Sequence, residues 1–207
     1  KGEIRPGATA CLRGRVLYIG DEKDSIGNVV RAWAFYTRRE LVNQQRIQDY
    51  GATKEMEGVS LPEVIVCNTQ YIRWEESEEL DRLAEYVQQG VNLIFAGLPE
   101  VSVMQSSPAL LDFFGIREVR AREITVAGVH LYKGFLLGGE VIYLTEDEEE
   151  YERRQDMEIT FPWYILGTGT KAYMKGVPKE KDVKPEDCPG ILWRKTFEKA
   201  GSGCVFV

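Results

Sequence analysis

Hydrophobic positions between residues 63 and 97 follow first a strand pattern, then a helix pattern, then a strand pattern again. Residues 64–67 form a continuous apolar run rich in β-branched side chains, which is typical of a strand covered on both faces. Within residues 77–89, apolar side chains recur at helical spacing: Leu80, Leu83, Ala84 and Val87. Residues 91–97 form a second apolar run. Two such strands joined by a helix are predicted to lie parallel.

The rest of the chain predicts further strands and two more helices. A strand is expected at residues 15–20, and a helix beginning near Asp24 carries Val30, Trp33, Ala34 and Leu41 on its apolar face. A short second strand is predicted within residues 43–61. Pro108 and Gly115 bracket a short helix, because proline favours the first turn and glycine the end. The later extended segments are predicted at residues 124–132, 135–144, 157–166, 170–174, 191–197 and 203–207.

These elements predict an α/β domain, a flavodoxin-like three-layer sandwich with a mostly parallel central sheet and an antiparallel C-terminal extension. Residues 1–14 are interpreted as a lead-in. Residues 15–207 form a single domain with a β-ribbon insertion around residues 122–175. Because Lys1 is not an initiator methionine and the last strand ends on an apolar residue, we expect the natural protein to be longer.

Composition narrows the classes of partner. The chain has 26 Lys and Arg against 33 Asp and Glu, a net charge of -7, which disfavours nucleic-acid binding through a general basic surface. No apolar run is long enough to span a bilayer, so membrane contact is expected only through regions outside this sequence. The four cysteines lack the paired spacing of a zinc site; Cys188 and Cys204 could bridge in an oxidising compartment. Neither a metal nor a cofactor is expected.

Polar and aromatic residues follow the predicted parallel strands, where α/β sheets bind ligands. The candidate ligand-binding residues are Asp21 and Glu22 after the first strand, Asn68, Thr69, Tyr71, Arg73 and Trp74 after the strand at 64–67, and Glu100 after the strand at 91–97. Exposed aromatic rings stack on sugars, and arginine binds carboxylate or phosphate. Structural roles remain open: Asp21 as a helix cap, Asn68 as a loop stabiliser and Trp74 as a plug beneath the next helix.

Three other groups of residues have competing interpretations. Cys67 and His130 could form a nucleophile and base pair, but a cysteine after three β-forming residues is more typical of a core. The acidic run at residues 146–150 has charge suited to calcium but lacks the spacing and glycine of a calcium loop, which favours a solvated face. The aromatic cluster at residues 161–164 is either core or an exposed patch covered by a neighbouring domain.

Three sequence segments together resemble those of the class I glutamine amidotransferase-like superfamily. They are Val16-Leu-Tyr-Ile-Gly-Asp21, then Leu83-Ala-Glu-Tyr-Val-Gln-Gln-Gly90 leading into Val91-Asn-Leu-Ile-Phe-Ala-Gly97, and the terminal Ala200-Gly-Ser-Gly-Cys-Val-Phe-Val207. The resemblance implies a cysteine nucleophile directly after the central strand. Leu98 stands there instead, so the resemblance is to the non-catalytic branch, which includes trehalose-utilisation-like proteins and accessory domains of carbohydrate-active enzymes.

The resemblance implies a non-catalytic domain that binds a glycan or a protein, or acts as a scaffold, in a larger bacterial protein that processes exopolysaccharide. An enzyme is therefore not expected. The alternative is a hydrolase using acidic residues at the carboxyl ends of the strands, with Asp21, Glu75 or Glu100 as general acid or base. The expected partners are a polysaccharide or an adjacent domain of the same chain, without nucleic acid. The expected location is extracellular or at the cell surface, with the cytoplasm as the alternative.

Overall fold

A computed structural model describes residues 14–47, 61–131, 141–143, 159–180 and 183–207. The predicted lead-in at residues 1–14, apart from Gly14, and the acidic run at residues 146–150 lie outside the described residues.

Within the described residues the chain forms ten strands in one sheet and four α-helices. In chain order the strands are β1 (Arg15–Ile19), β2 (Glu40–Gln44), β3 (Val64–Asn68), β4 (Asn92–Ala96), β5 (Ile116–Leu131), β6 (Val141–Tyr143), β7 (Ile159–Leu166), β8 (Thr170–Pro178), β9 (Gly190–Thr196) and β10 (Cys204–Phe206). The helices are α1 (Ser25–Thr37), α2 (Ser77–Gln88), α3 (Val101–Ser106) and α4 (Pro108–Phe114).

The predicted strand, helix and strand between residues 63 and 97 are confirmed as β3, α2 and β4, and the two strands pair in parallel. The helix near Asp24 is confirmed as α1, but the placement of Leu41 on it is wrong. The helix ends at Thr37 because Arg38 adopts a left-handed conformation, with φ of 55°. Leu41 instead lies in β2 and packs against the same core cluster as Val30.

The sheet changes direction halfway across. Its order is β2, β1, β3, β4, β10, β9, β8, β5 and β6, and β7 pairs with β5. The strands from β2 to β10 are parallel to their neighbours, whereas every pairing from β10 to β9 onward is antiparallel. The prediction of a flavodoxin-like three-layer sandwich with a mostly parallel central sheet is therefore wrong. The antiparallel strands are half of the central sheet itself, so the protein is an α/β domain with a mixed sheet.

The helices cover the two faces of the sheet unequally. On one face, α2, α3 and α4 pack over the largest core cluster, which includes Leu17, Ile65, Leu93, Phe114 and Trp193. On the other face a smaller cluster lies beneath α1, where Val30 packs with Val16, Tyr18 and Val66 of β1 and β3. Since β-strand side chains alternate between faces, the alternating residues of β1 and β3 fill both clusters.

Strand β10 joins the two halves of the sheet. It pairs in parallel with β4 through Val205 opposite Leu93, and antiparallel with β9 through Val205 opposite Lys195. Gly203 lies directly before β10, where a Cβ atom would stand 1.9 Å from the Val91 carbonyl oxygen. Its amide donates to the Val87 carbonyl at 2.8 Å. The entry of β10 into the sheet therefore requires glycine at this position.

Gly203→Ala is expected to lower the free energy of unfolding by about 3 kcal/mol, because the clash is with backbone and no side chain can move to relieve it. Gly201→Ala is the matched control, since a Cβ there meets nothing within 4 Å although its φ is +82°; we expect a loss of about 1 kcal/mol from backbone strain alone. Chemical denaturation of both variants measures the difference. An alanine at 203 tolerated as well as one at 201 would contradict the packing of β10 against β4.

Candidate functional site

The crevice between β1 and β3, where the strand order reverses, is closed by the chain's own side chains. The Asp24 carboxylate accepts hydrogen bonds from the Tyr18 hydroxyl at 2.9 Å, the Asn68 side-chain amide at 3.0 Å and the Gly27 backbone amide at 2.6 Å. Asp24 is thereby the N-cap of α1. Tyr18 and Asn68 are both buried. The predicted ligand residue Asn68 thus anchors α1 and the loop after β3, where its side-chain oxygen also accepts from the Gln70 amide.

The charge of Asp24 is stabilised by these contacts. Burial by itself would raise the pKa of Asp24, but the hydrogen bonds from Gly27, Tyr18 and Asn68 together hold it below its ordinary value. Burial, followed by the hydrogen bond to Asp24, raises the pKa of Tyr18 well above its ordinary range. The pair therefore holds a protonated phenol and an ionised carboxylate at neutral pH.

Asp21 and Glu22 lie apart from the other predicted site residues. They line a shallow cleft of about 490 Å³ with Lys23, Asn43 and Gln44. The Asp21 carboxylate accepts a hydrogen bond from the Lys23 amide at 2.9 Å, a local turn contact rather than a helix cap. Nothing in this cleft is aromatic, so it offers no surface for stacking.

Four of the predicted residues come together in one cleft, which we call the loop cleft. It has a volume of about 520 Å³ and lies between the loops that follow β3 and β4, lined by Thr69, Arg73, Trp74, Leu98, Pro99 and Glu100. Tyr71 is not part of its lining and instead packs against the main core cluster. The carboxyl ends of β3 and β4 thus bring together residues that lie about thirty positions apart in the sequence, as expected for adjacent parallel strands.

The loop after β3 is held rigidly by buried contacts. Glu79, which has no exposed surface, accepts from the Arg73 backbone amide at 2.8 Å and from the Arg46 guanidinium at 3.0 Å. The Trp74 indole donates to the Thr69 carbonyl at 3.1 Å, and its ring packs 5.8 Å from Phe95 and 5.5 Å from Phe114 between centroids. Trp74 is therefore chiefly a structural plug, and only part of its ring faces the loop cleft.

A second cleft, which we call the aromatic cleft, lies on the other side of the bend formed by Leu98, Pro99 and Glu100. It has a volume of about 410 Å³, and its opposite wall is formed by Phe161, Tyr164 and Trp193 from β7 and β9. The Trp193 indole is fixed by donating to the Phe114 carbonyl at 2.8 Å. The aromatic cluster at residues 161–164 was visible in the sequence, but its position beside the bend was not.

Tyr164 is the polar group in this otherwise apolar wall. Its side chain is 6% exposed, and its hydroxyl makes no hydrogen bond within the described part of the chain. Burial raises the pKa of Tyr164 above its ordinary value, so the hydroxyl keeps its proton. The hydroxyl is not among the buried side-chain atoms that lack a partner, so it is open to solvent. As a protonated donor it can bind a ligand oxygen.

The proposed nucleophile and base pair is not formed. Cys67 is fully buried in β3, and burial raises the pKa of its thiol well above the ordinary range, which makes it inert. His130 lies in β5, with β4, β10, β9 and β8 between it and β3. The prediction that Cys67 is a core side chain is confirmed. Cys188 and Cys204 are both free thiols.

A larger cleft of about 660 Å³ lies at the opposite end of the parallel strands, between the end of α2 and the turn that joins β9 to β10. Its lining includes Lys195, Glu198 and Lys199, and the last two are exposed. Ligands of α/β sheets bind at the carboxyl ends of the strands. We therefore place the candidate site at the aromatic cleft and the loop cleft beside it.

No family model, curated protein or solved structure matches the chain. Within the described residues, no helix has the length and apolar character that crossing a membrane requires. The same residues contain no group of three or more His, Cys, Asp or Glu side chains placed to hold a metal ion. The geometry of the clefts is therefore the basis for a functional proposal.

Asp24→Asn should destabilise the protein at neutral pH by about 1.5 kcal/mol, because asparagine keeps a capping oxygen but loses the charge-assisted hydrogen bonds. Since the folded pKa of Asp24 is depressed, its contribution is complete above the ordinary aspartate pKa and is lost as pH falls through the folded value. The gap between wild type and variant should therefore be constant above the ordinary aspartate pKa of about 3.9 and shrink over the acid range below it. Denaturation across this range measures the gap, with Asp21→Asn as the control. A gap independent of pH would rule out this role for Asp24.

Proposed function

We propose that this domain is a non-catalytic glycan-binding module whose ligand enters the aromatic cleft. The observation that carries the proposal is the cleft itself, where the rings of Phe161, Tyr164 and Trp193 line one wall and the Tyr164 hydroxyl is open to solvent while the rest of that residue is nearly buried. Aromatic rings stack on the apolar faces of sugar rings, while a fixed hydroxyl group can donate a hydrogen bond to one sugar oxygen. Glu100, exposed at the mouth of both clefts, can accept from further sugar hydroxyls.

The resemblance to the amidotransferase-like superfamily, and with it a place in a bacterial exopolysaccharide-processing protein, remains a proposal. The bend Leu98-Pro99-Glu100 follows β4, where the superfamily carries its nucleophile, and its residues favour the non-catalytic interpretation of that resemblance. Pro99 is buried and Leu98 half-buried, so neither offers a nucleophilic atom at this corner. The extracellular or cell-surface location remains a prediction of the same kind.

The alternative hydrolase is less well supported by the geometry. Asp21 lines a different cleft from Glu75 and Glu100, so it cannot act together with either of them. Glu75 and Glu100 are both exposed, whereas a general acid at neutral pH needs a desolvated carboxyl. Glu76, the remaining carboxylate of the loop cleft, is paired with Arg73 at 2.9 Å, and this hydrogen bond lowers the pKa of Glu76.

The direct test is an array of bacterial exopolysaccharides and their oligosaccharides, probed with wild type and Tyr164→Phe, followed by calorimetric titration of the tightest ligand. Phenylalanine keeps the ring and deletes the hydroxyl, so the affinity should fall about fivefold to tenfold, the value of one hydrogen bond. The free energy of unfolding should change by less than about 0.5 kcal/mol, because the hydroxyl has no hydrogen-bond partner among the described residues.

Tyr36→Phe is the matched control, since Tyr36 is exposed on α1 and far outside the cleft lining. Its affinity should equal that of wild type. Two results would overturn the proposal: no glycan bound above background, or a bound glycan whose affinity is the same for Tyr164→Phe as for wild type. A loss of stability in Tyr164→Phe would show that the hydroxyl has an internal partner instead.

A further inference from the structure

Helix α1 carries an apolar outer face. Its inner residues Gly27, Val30 and Ala34 are buried against the sheet, whereas Val29, Phe35 and Tyr36 are 69%, 77% and 82% exposed. Val29 and Tyr36 are seven positions apart and therefore lie on the same side of the helix. The rings of Phe35 and Tyr36 touch edge to face, with centroids 5.6 Å apart. We call Val29, Phe35, Tyr36 and the neighbouring Arg31 and Arg38 the α1 surface.

The charge of this surface is opposite to that of the chain. Residues 25–39 contain three arginines and no acidic residue, although the chain as a whole carries a net charge of -7. The charge of Arg39 is already paired, because its guanidinium lies 2.8 Å from the Glu63 carboxylate and over the Trp33 ring. Arg31 donates to the Glu22 carbonyl, so its charge is not neutralised by a carboxylate. Arg38 is exposed, and the described residues include no ion-pair partner for it.

Protein interfaces have this composition. Their centres are enriched in Tyr, Phe and Arg and depleted of Lys, Asp and Glu, and their energetic hot spots are most often Trp, Tyr and Arg. Phe35 and Tyr36 form an exposed aromatic pair, and adjoining exposed apolar side chains mark interaction sites more often than single ones do. The surface lies on α1, and none of its residues lines the aromatic cleft or the loop cleft.

We propose that the α1 surface is the docking site for an acidic, amphipathic segment of a partner protein. The partner's apolar side chains cover Val29, Phe35 and Tyr36, and its carboxylates pair with Arg31 and Arg38. A second copy of this chain is disfavoured, because a two-fold contact would place the arginines of both copies against each other. An anionic membrane is also disfavoured, because such surfaces are bound by larger clusters of basic residues.

The test is a selection of short random peptides displayed on phage against the immobilised protein, followed by fluorescence anisotropy of the selected peptides. Selected sequences should combine acidic with aromatic or aliphatic residues. The double variant Phe35→Ser, Tyr36→Ser should weaken their binding at least about thirtyfold, the effect of a lost hot spot. Arg38→Glu should weaken it about tenfold and reduce its dependence on salt.

Ile159→Ser is the matched control, since Ile159 is an exposed apolar residue on β7, and it should bind the peptides as wild type does. The glycan affinity of all these variants should also be unchanged, which separates this surface from the aromatic cleft. Four results would overturn the proposal. Three of them are selected peptides without acidic residues, binding that survives the Phe35 and Tyr36 substitutions, and a dimer in light scattering that those substitutions abolish. Binding to phosphatidylserine vesicles that depends on Phe35 and Tyr36 would also overturn it, in favour of a membrane contact.

Discussion

The arrangement of this protein depends on the insertion of β10 between β4 and β9. A parallel sheet exposes unpaired backbone groups at its edge, and here the edge of β4 is covered by β10. Val205, at the centre of β10, has no exposed surface. Beyond β10, Trp193 and Val207 exchange backbone hydrogen bonds of 3.0 Å in both directions. The short strand therefore converts a parallel sheet into an antiparallel one without interrupting its hydrogen bonds.

The candidate site is a consequence of this junction. The bend after β4 belongs to the parallel half, whereas Phe161, Tyr164 and Trp193 belong to the antiparallel half, so the aromatic cleft exists only because β10 holds the two halves side by side. The crevice between β1 and β3, where an α/β sheet would ordinarily bind a ligand, is filled by the contacts of Asp24 with Tyr18 and Asn68. The candidate site therefore lies near the junction of the parallel and antiparallel strands rather than at the crevice between β1 and β3. The α1 surface lies on the helix that Asp24 caps, and none of its residues lines the aromatic cleft.

The parts of the structure that the sequence predicts are those encoded in one continuous stretch. Strand β3, helix α2 and strand β4 follow from local periodicity, and Thr69, Arg73, Trp74 and Glu100 meet because the ends of adjacent parallel strands must meet. The first half of β5 was not predicted from the sequence, because Arg117, Glu118 and the charged residues beside them break the apolar pattern of a strand. This part of β5 is paired with β7, which is distant in the sequence. The insertion of β10 and the approach of Tyr164 to Leu98 are likewise non-local, and no pattern of hydrophobic positions specifies them. The end of α1 was missed because an arginine, rather than glycine, takes the left-handed position.

Amide hydrogen exchange of β10, followed by NMR, tests the central claim most directly. If β10 joins the two halves of one sheet, the amides of Val205 and Val207 should exchange only when the whole domain unfolds, with the same free energy of opening as Leu17 in β1. The amide of Gly201, in the exposed turn before β10, should exchange far faster. Exchange of Val205 through a local opening, with a smaller free energy than that of Leu17, would contradict the account: the halves would then separate readily, and the aromatic cleft between them would not be a preformed site.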